Sequence, residues 1–324
     1  MSPKTIKQDA QAALGATSFS PGKLALIHGG VTIVFSLLLS AISHLLTDSI
    51  AIPNGLSGVT IRAALETAQT ILSFAASILT PFWSVGFVFA MMQVSRKEDA
   101  TPRSLLEGFR RFGPMLRLFL LLLLTIVSMG MVCAYLSSMI FTATPLSSGL
   151  EKAMIPYIEA GAETITDEML MALIPHMGWF FVVLFVVIVA LGLPMYYRYR
   201  LCVYTLFDDA KGARHAIYQS KLLSLHNRME MFRFDLSFWW YYLSALLISA
   251  LAYGDLLLKA LKVQLPVSNG VLFWGFLILS MGLELLFIWR FSPLYQTAYA
   301  TYYSRIKDRF LTPITPPPAG TDYE

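Results

Sequence analysis

The sequence predicts an all-α, polytopic six-helix transmembrane bundle made of three repeats, each an amphipathic cytoplasmic helix followed by a transmembrane hairpin. Three observations predict it: six long apolar runs, Lys and Arg almost entirely on one side of them, and an internal repeat in step with the run boundaries. The runs cover residues 24–47, 69–94, 116–141, 177–203, 236–258 and 271–294. Each is near or above the roughly 20 residues a helix needs to cross a bilayer. Of 324 residues, 56% are hydrophobic and 14% charged, with a mean hydropathy of +0.62, whereas charged residues make up about a quarter of a soluble domain. The apolar surplus is for lipid. A single membrane domain over residues 1–311 is expected, with short connections.

Cytoplasmic loops retain Lys and Arg during insertion, so the cations orient the chain. With the N-terminus inside, all but Arg62, Lys152, Lys259 and Lys262 of the 24 cations fall on the inner segments. The outer connection from 142 to 175 is acidic through Glu151, Glu159, Glu163, Asp167 and Glu168. Both termini are therefore expected in the cytoplasm. The net charge of +4 does not indicate nucleic acid, because the bases are spread along juxtamembrane segments and not gathered on one soluble face; anionic lipid headgroups suit them better.

Taken in order, the first run follows Lys23 and resembles a signal peptide with a cleavage site at Ala41-Ile42-Ser43, but it is too long for an ordinary h-region and reads as a retained anchor. The second carries Pro81-Phe82-Trp83. After it, Thr101 is a good N-cap and Pro102 suits the first helical position, with Leu105, Leu106, Phe109 and Phe112 opposite Arg103, Glu107, Arg110 and Arg111. That segment is expected to lie flat on the inner leaflet. The third run places Gly130, Ala134 and Ser138 at four-residue spacing, and the fifth Ala245 and Ser249, which suits close intramolecular helix packing. The fourth ends near Pro194-Met195-Tyr196-Tyr197. Asp208 and Asp209 then precede a helix from about Gly212 to Leu225, where they read as capping and dipole partners in preference to a metal pair. The sixth run ends at Pro293-Leu294-Tyr295, and Thr312-Pro313-Ile314-Thr315-Pro316-Pro317-Pro318 favours polyproline II, so 312–324 is expected to be a disordered cytoplasmic tail.

The repeat emerges from these same residues. Pro81 and Pro194 are 113 apart, as are Phe119 and Phe232, while Gly15, Phe19 and Pro21 match Gly108, Phe112 and Pro114 at an offset of 93. Each unit is then an amphipathic segment plus a hairpin, and the prolines of the even runs should open the inner half of the bundle.

Reactive groups are sparse. Cys133 and Cys202 lie at different depths of the membrane and are expected to be free, buried thiols. No pair among the histidines has the helical chelating spacing of a metal site, and no phosphate-binding loop, nucleophile elbow or metalloprotease motif occurs. No catalytic residue, metal or cofactor is therefore assigned. Glu284 is the acidic residue well inside an apolar run, about 13 residues from its outer end and so roughly 20 Å deep. A charge there costs on the order of 3 kcal/mol, so Glu284 should be protonated, paired or wet; Arg198 or His28 could supply the base. It reads either as a proton or cation relay or as a neutral structural carboxyl. The other candidate surface is the inner face of Arg103, Arg110, Arg111, Lys211, Arg214 and Lys221, suited to anionic lipid or a protein partner, or to sealing the bundle rim.

The run Ser220-Lys221, Met231-Phe232-Arg233-Phe234-Asp235-Leu236-Ser237-Phe238 and Trp239-Trp240-Tyr241-Tyr242-Leu243 resembles the core signature of a bacterial membrane family catalogued as domain of unknown function 975. Pro293-Leu294-Tyr295 through Tyr302-Tyr303 is similar to that family's closing segment, and Leu206 to Asp209 to its Leu-x-Asp stretch. The resemblance implies a six-helix integral protein of the bacterial cell membrane with no assigned activity, and it carries over no functional residues. The expected function is a non-enzymatic membrane protein that organises lipid or partner proteins. A transporter using Glu284 is the alternative, and a membrane-embedded enzyme the more distant one.

Overall fold

The structure is a computed structural model, and it describes residues 2–48, 56–159, 167–208, 211–254 and 269–311. Every regular element among them is helical: α1 Pro3–Gly15, α2 Pro21–Asp48, α3 Leu56–Ser95, a 3₁₀ turn Pro102–Leu106 running into α4 Glu107–Arg110, α5 Phe112–Ala143, α6 Leu146–Glu159, α7 Asp167–Val187, a π segment Ile188–Gly192, α8 Leu193–Tyr199, α9 Cys202–Asp208, α10 Ala213–Leu225, α11 Arg228–Leu236, α12 Trp239–Ala252 and α13 Asn269–Leu311. Among the described residues five stretches are long and apolar enough to cross a membrane, or six if α11 and α12, which meet at 57°, form one span. The expected tail at 312–324 lies outside the described residues.

Several helices outrun their apolar stretches. Hydropathy marks where lipid ends, whereas a helix ends where capping or packing stops it. Thus α13 continues past residue 294 to Leu311, and α3 ends only where Lys97 adopts φ 59°. There the Lys97 N–H donates to the Val94 carbonyl and the Glu98 N–H to the Gln93 carbonyl, both at 2.9 Å, which closes the helix in a Schellman arrangement with Lys where Gly is usual. Pro81 and Pro293 sit inside continuous helices. Pro194 instead follows the π segment at 188–192, where the wider backbone ring absorbs the missing hydrogen bond.

The chain divides into two compact units, Met1–Met115 with Val203–Ala210 and Met229–Glu324, and Leu116–Cys202 with Lys211–Arg228. In the first, α1, α2, α3 and α12 pack on α13. Its core is concentrated where α3 ends: Leu24, Ala25, Phe87, Ala90, Met91, Val94, Ala100 and Leu105 form one cluster, and Tyr299, Tyr302, Tyr303 and Ile306 on α13 are fully buried. This is the basic end of the helices; farther along the spans large apolar side chains such as Val34, Leu38, Ile71, Phe74 and Ile278 are exposed.

The 102–110 segment does not lie free. It runs antiparallel along α3, and two glycines set the approach: a Cβ on Gly86 would stand 1.8 Å from the Leu105 carbonyl oxygen, and one on Gly108 would stand 2.1 Å from that of Phe82. The Thr101 N–H donates to Ser104 Oγ at 3.3 Å, and Ser104 Oγ donates to Gln93 Oε1 of α3 at 2.6 Å. Thr101 does cap the segment, but Leu105 is buried against α3 while Leu106 and Phe112 stay exposed.

In the second unit α6 packs on α7 and α8 on α10. The small-residue seam expected on α5 is displaced by one position. Gly130, Ala134 and Ser138 face outward, with nothing within 4 Å of a Cβ on Gly130, whereas Cys133 and Ser137 are buried. Ser137 can turn inward because its hydroxyl donates to the Cys133 carbonyl of its own helix at 2.6 Å. Cys133 and Cys202 are both buried and no disulfide joins them, as their depths required.

Candidate functional site

Two aspartates organise the basic end of the first unit. Asp208 closes α9, and its side chain is only 12% exposed. Arg96, one residue past α3, reaches Oδ1 with Nη2 at 2.6 Å, the Tyr303 hydroxyl donates to Oδ2 at 3.0 Å, and Lys307 Nζ donates to the same oxygen. Asp208 therefore joins α3, α9 and α13, and does not cap α10 as its place in the sequence suggested. Two cations in direct contact offer more free energy than a helix terminus. Asp209, its expected companion, lies outside the described residues. The carbonyls of Leu206 and Phe207 are in turn met by Arg111 Nη1, at 3.5 and 3.2 Å.

Asp235, on α11, is the second node and is buried. The Tyr299 hydroxyl donates to its Oδ1, the Tyr242 hydroxyl approaches the same oxygen at 3.1 Å, and Tyr242 and Tyr295 share a hydrogen bond of 2.7 Å. Aromatic rings enclose the node: Phe234 stacks on Tyr302 with centroids 4.8 Å apart, and Phe238 meets Tyr295 edge-on at 5.3 Å. From α1, Lys7 lies 4.0 Å above the Phe238 ring and donates to the Ser237 carbonyl at 2.5 Å. Burial there holds the Lys7 amine below the usual lysine value.

Among the described residues no hydrogen bond or ion pair joins the intramembrane candidates to one another. Glu284 is exposed on α13, and among the described residues no ion pair or hydrogen bond reaches its carboxylate. His28, on α2, is stacked between Trp83, at 5.8 Å, and Phe87, at 4.8 Å. Its carbonyl accepts from Trp83 Nε1 at 3.0 Å, and its Nε2 is buried without a described partner. Arg198 belongs to the second unit, where its carbonyl accepts from Ser220 Oγ at 2.9 Å and anchors α10 on α8.

The surface cations divide into two kinds. Arg111 is tied to the α9 carbonyls as described, and it also reaches Glu107 at 3.5 Å. Arg110 pairs with Glu107 at 3.2 Å but is 76% exposed, and Lys221 lies 5.4 Å over the Tyr199 ring. Arg103, Lys211 and Arg214 are exposed. Lys211 and Arg214 share with Arg117 a groove of about 550 Å³ between the start of α5 and the start of α10. A second, apolar cleft of about 410 Å³ runs beside the π segment past Met129, Gly130, Cys133, Ile188 and Gly192 to Arg200. A third of about 180 Å³ lies among Thr32, Phe35, Thr80 and Trp83. Glu284 lines none of the three.

Among the described residues no group of three His, Cys, Asp or Glu side chains could hold a metal ion. The chemistry of the nodes is that of joints: Asp208 accepts on both oxygens and Asp235 on Oδ1 from donors on other helices. The residues that make these joints are the ones that carried the family resemblance, namely the segment around Asp235 and the tyrosines from 295 to 303. A family model described as "Protein of unknown function (DUF975)" matches residues 1–310. The chain belongs to this family. The match takes in the N-terminal helix as well as the closing tyrosines, so in this DUF975 protein the whole basic-end core, Lys7 to Lys307, lies inside the family region. No curated protein and no solved structure matches the chain. Sequence reasoning singled out neither Asp208 nor Asp235 as a junction. The available signal was the spacing of Tyr295, Tyr299 and Tyr303, which puts three hydroxyls on one face of a helix.

Proposed function

We propose that this DUF975 protein is a non-enzymatic, multi-pass protein of the bacterial cell membrane whose basic end faces the cytoplasm and organises anionic lipid or a protein partner there. The observation that carries the reading is the division of its charges. Asp208 and Asp235 are committed to holding helices together, whereas Arg103, Arg117, Lys211 and Arg214 stay exposed. Exposed juxtamembrane cations gain about 1 kcal/mol each beside an anionic leaflet. Six crossings, with the bent α11–α12 pair as the fifth, and three repeats of amphipathic segment plus hairpin complete the proposed architecture.

The topology has a direct test. In a background lacking Cys133 and Cys202, Ser148→Cys and His226→Cys both place a thiol at an exposed position. An impermeant thiol reagent applied to intact cells is expected to label position 148 and to spare 226, and the reverse pattern would invert the orientation.

A second reading rests on Glu284, whose exposed carboxylate lacks a described partner deep in an apolar span. In a transporter it would bind or relay a cation. Ligands that bind only the folded state raise the melting temperature, so the purified protein should be stabilised by phosphatidylglycerol to the same extent in wild type and in Glu284→Gln. Stabilisation by a soluble metabolite or cation that disappears in Glu284→Gln, with no response to anionic lipid, would replace the organising role by transport.

A further inference from the structure

The groove between α5 and α10 carries the lipid reading to a particular place. We propose that Arg117, Lys211 and Arg214 bind the phosphate of an anionic phospholipid headgroup in this groove, with the acyl chains laid along α5. The proposal rests on the reading that the basic end meets an anionic leaflet. Three cations converge on one cleft of about 550 Å³, all three are exposed, and among the described residues none of them is in an ion pair or a hydrogen bond. Like charges gathered on one cleft repel one another, and a bound anion removes that cost.

The groove is amphiphilic, which selects a lipid over a free anion. Leu120 lines it next to Arg117, and from Leu120 an exposed apolar stripe continues up α5 through Leu124, Val127 and Met131. Those residues recur at the spacing of one helix face, so one molecule with its phosphate at Arg117 would lay its tails on that stripe.

The test uses the purified full chain in phosphatidylcholine-containing detergent micelles, titrated with phosphatidylglycerol, with extra phosphatidylcholine or with inorganic phosphate, and read by melting temperature. Wild type is expected to be stabilised by phosphatidylglycerol alone. The triple variant Arg117→Gln/Lys211→Gln/Arg214→Gln should require about tenfold more of it for the same shift, while Lys152→Gln, at an exposed cation outside this face, should stay within about twofold of wild type. The triple variant is expected to melt with wild type in phosphatidylcholine; if it melts lower, the three single variants decide, each expected to weaken the response about two- to threefold. Full stabilisation of the triple variant, or an equal loss in Lys152→Gln, would overturn the site while leaving a lipid-organising role standing. An equal response to inorganic phosphate would make it a soluble-anion site and overturn the lipid assignment. Wild type responding to neither lipid would remove the broader role with it.

Discussion

Gly86→Ala is expected to disrupt the packing at the basic end of the first unit. The added Cβ would stand 1.8 Å from the Leu105 carbonyl oxygen, and the obstructing atom is backbone, so no rotamer change relieves it. The 102–110 segment would have to move off α3, opening space around Phe82 and Leu105, both of which are fully buried. Overpacking a close-packed site costs about 1–3 kcal/mol, and more when side chains cannot yield, so a loss near 3 kcal/mol and a fall in melting temperature on the order of 6–10 °C are expected. Gly108→Ala, facing the Phe82 carbonyl oxygen at 2.1 Å, should behave alike. Gly130→Ala, with nothing within 4 Å of its Cβ, serves as the control and should melt with wild type. If all three variants melted together, α3 and the 102–110 segment could not approach as closely as they do here.

Asp208→Ala should have the next largest effect. Its carboxylate gathers Arg96, Tyr303 and Lys307, and removing it leaves two cations and a hydroxyl facing a void. Truncating one member of a buried ion pair costs about 3–5 kcal/mol, but Arg96 and Lys307 are 38% and 31% exposed, so water recovers part of their charge. A loss of about 2–3 kcal/mol is expected on those grounds. Lys307→Met, which leaves Arg96 and Tyr303 on the carboxylate, should cost only about 1 kcal/mol. Melting curves of the purified variants provide the check: an Asp208→Ala protein as stable as wild type would mean that α3, α9 and α13 are held by apolar contacts alone. Asp208→Asn refines the result, since it keeps the shape and one acceptor while removing the charge.

The membrane-spanning segments were legible in the residues themselves because partition into lipid is a sum over about 20 neighbours in sequence. All but one of the apolar runs emerged as a long helix, and the fifth emerged bent by 57° between Leu236 and Trp239. That bend has no hydropathy signature. The two buried thiols were legible for a similar reason, since depth along a helix follows from residue count.

What the amino-acid sequence determined by itself, then, was that the chain is helical, that it is built for lipid, and where its cations fall along the runs. The tertiary structure alone decided which groups meet. Asp208 looked like a helix cap because Ala213 follows closely, yet its partners are 112 and 99 residues away at Arg96 and Lys307, and Asp235 finds Tyr299 across 64 residues. A carboxylate has no periodicity, so its choice among distant donors leaves no local trace. The packed face of α5 likewise fell on Cys133 and Ser137 and not on the smaller Gly130 and Ala134, because a serine that bonds its own helix backbone can be buried at little cost. The groove of Arg117, Lys211 and Arg214 has the same origin: 94 positions separate its first and second cations in the chain, and only the packing of the second unit brings them to one cleft.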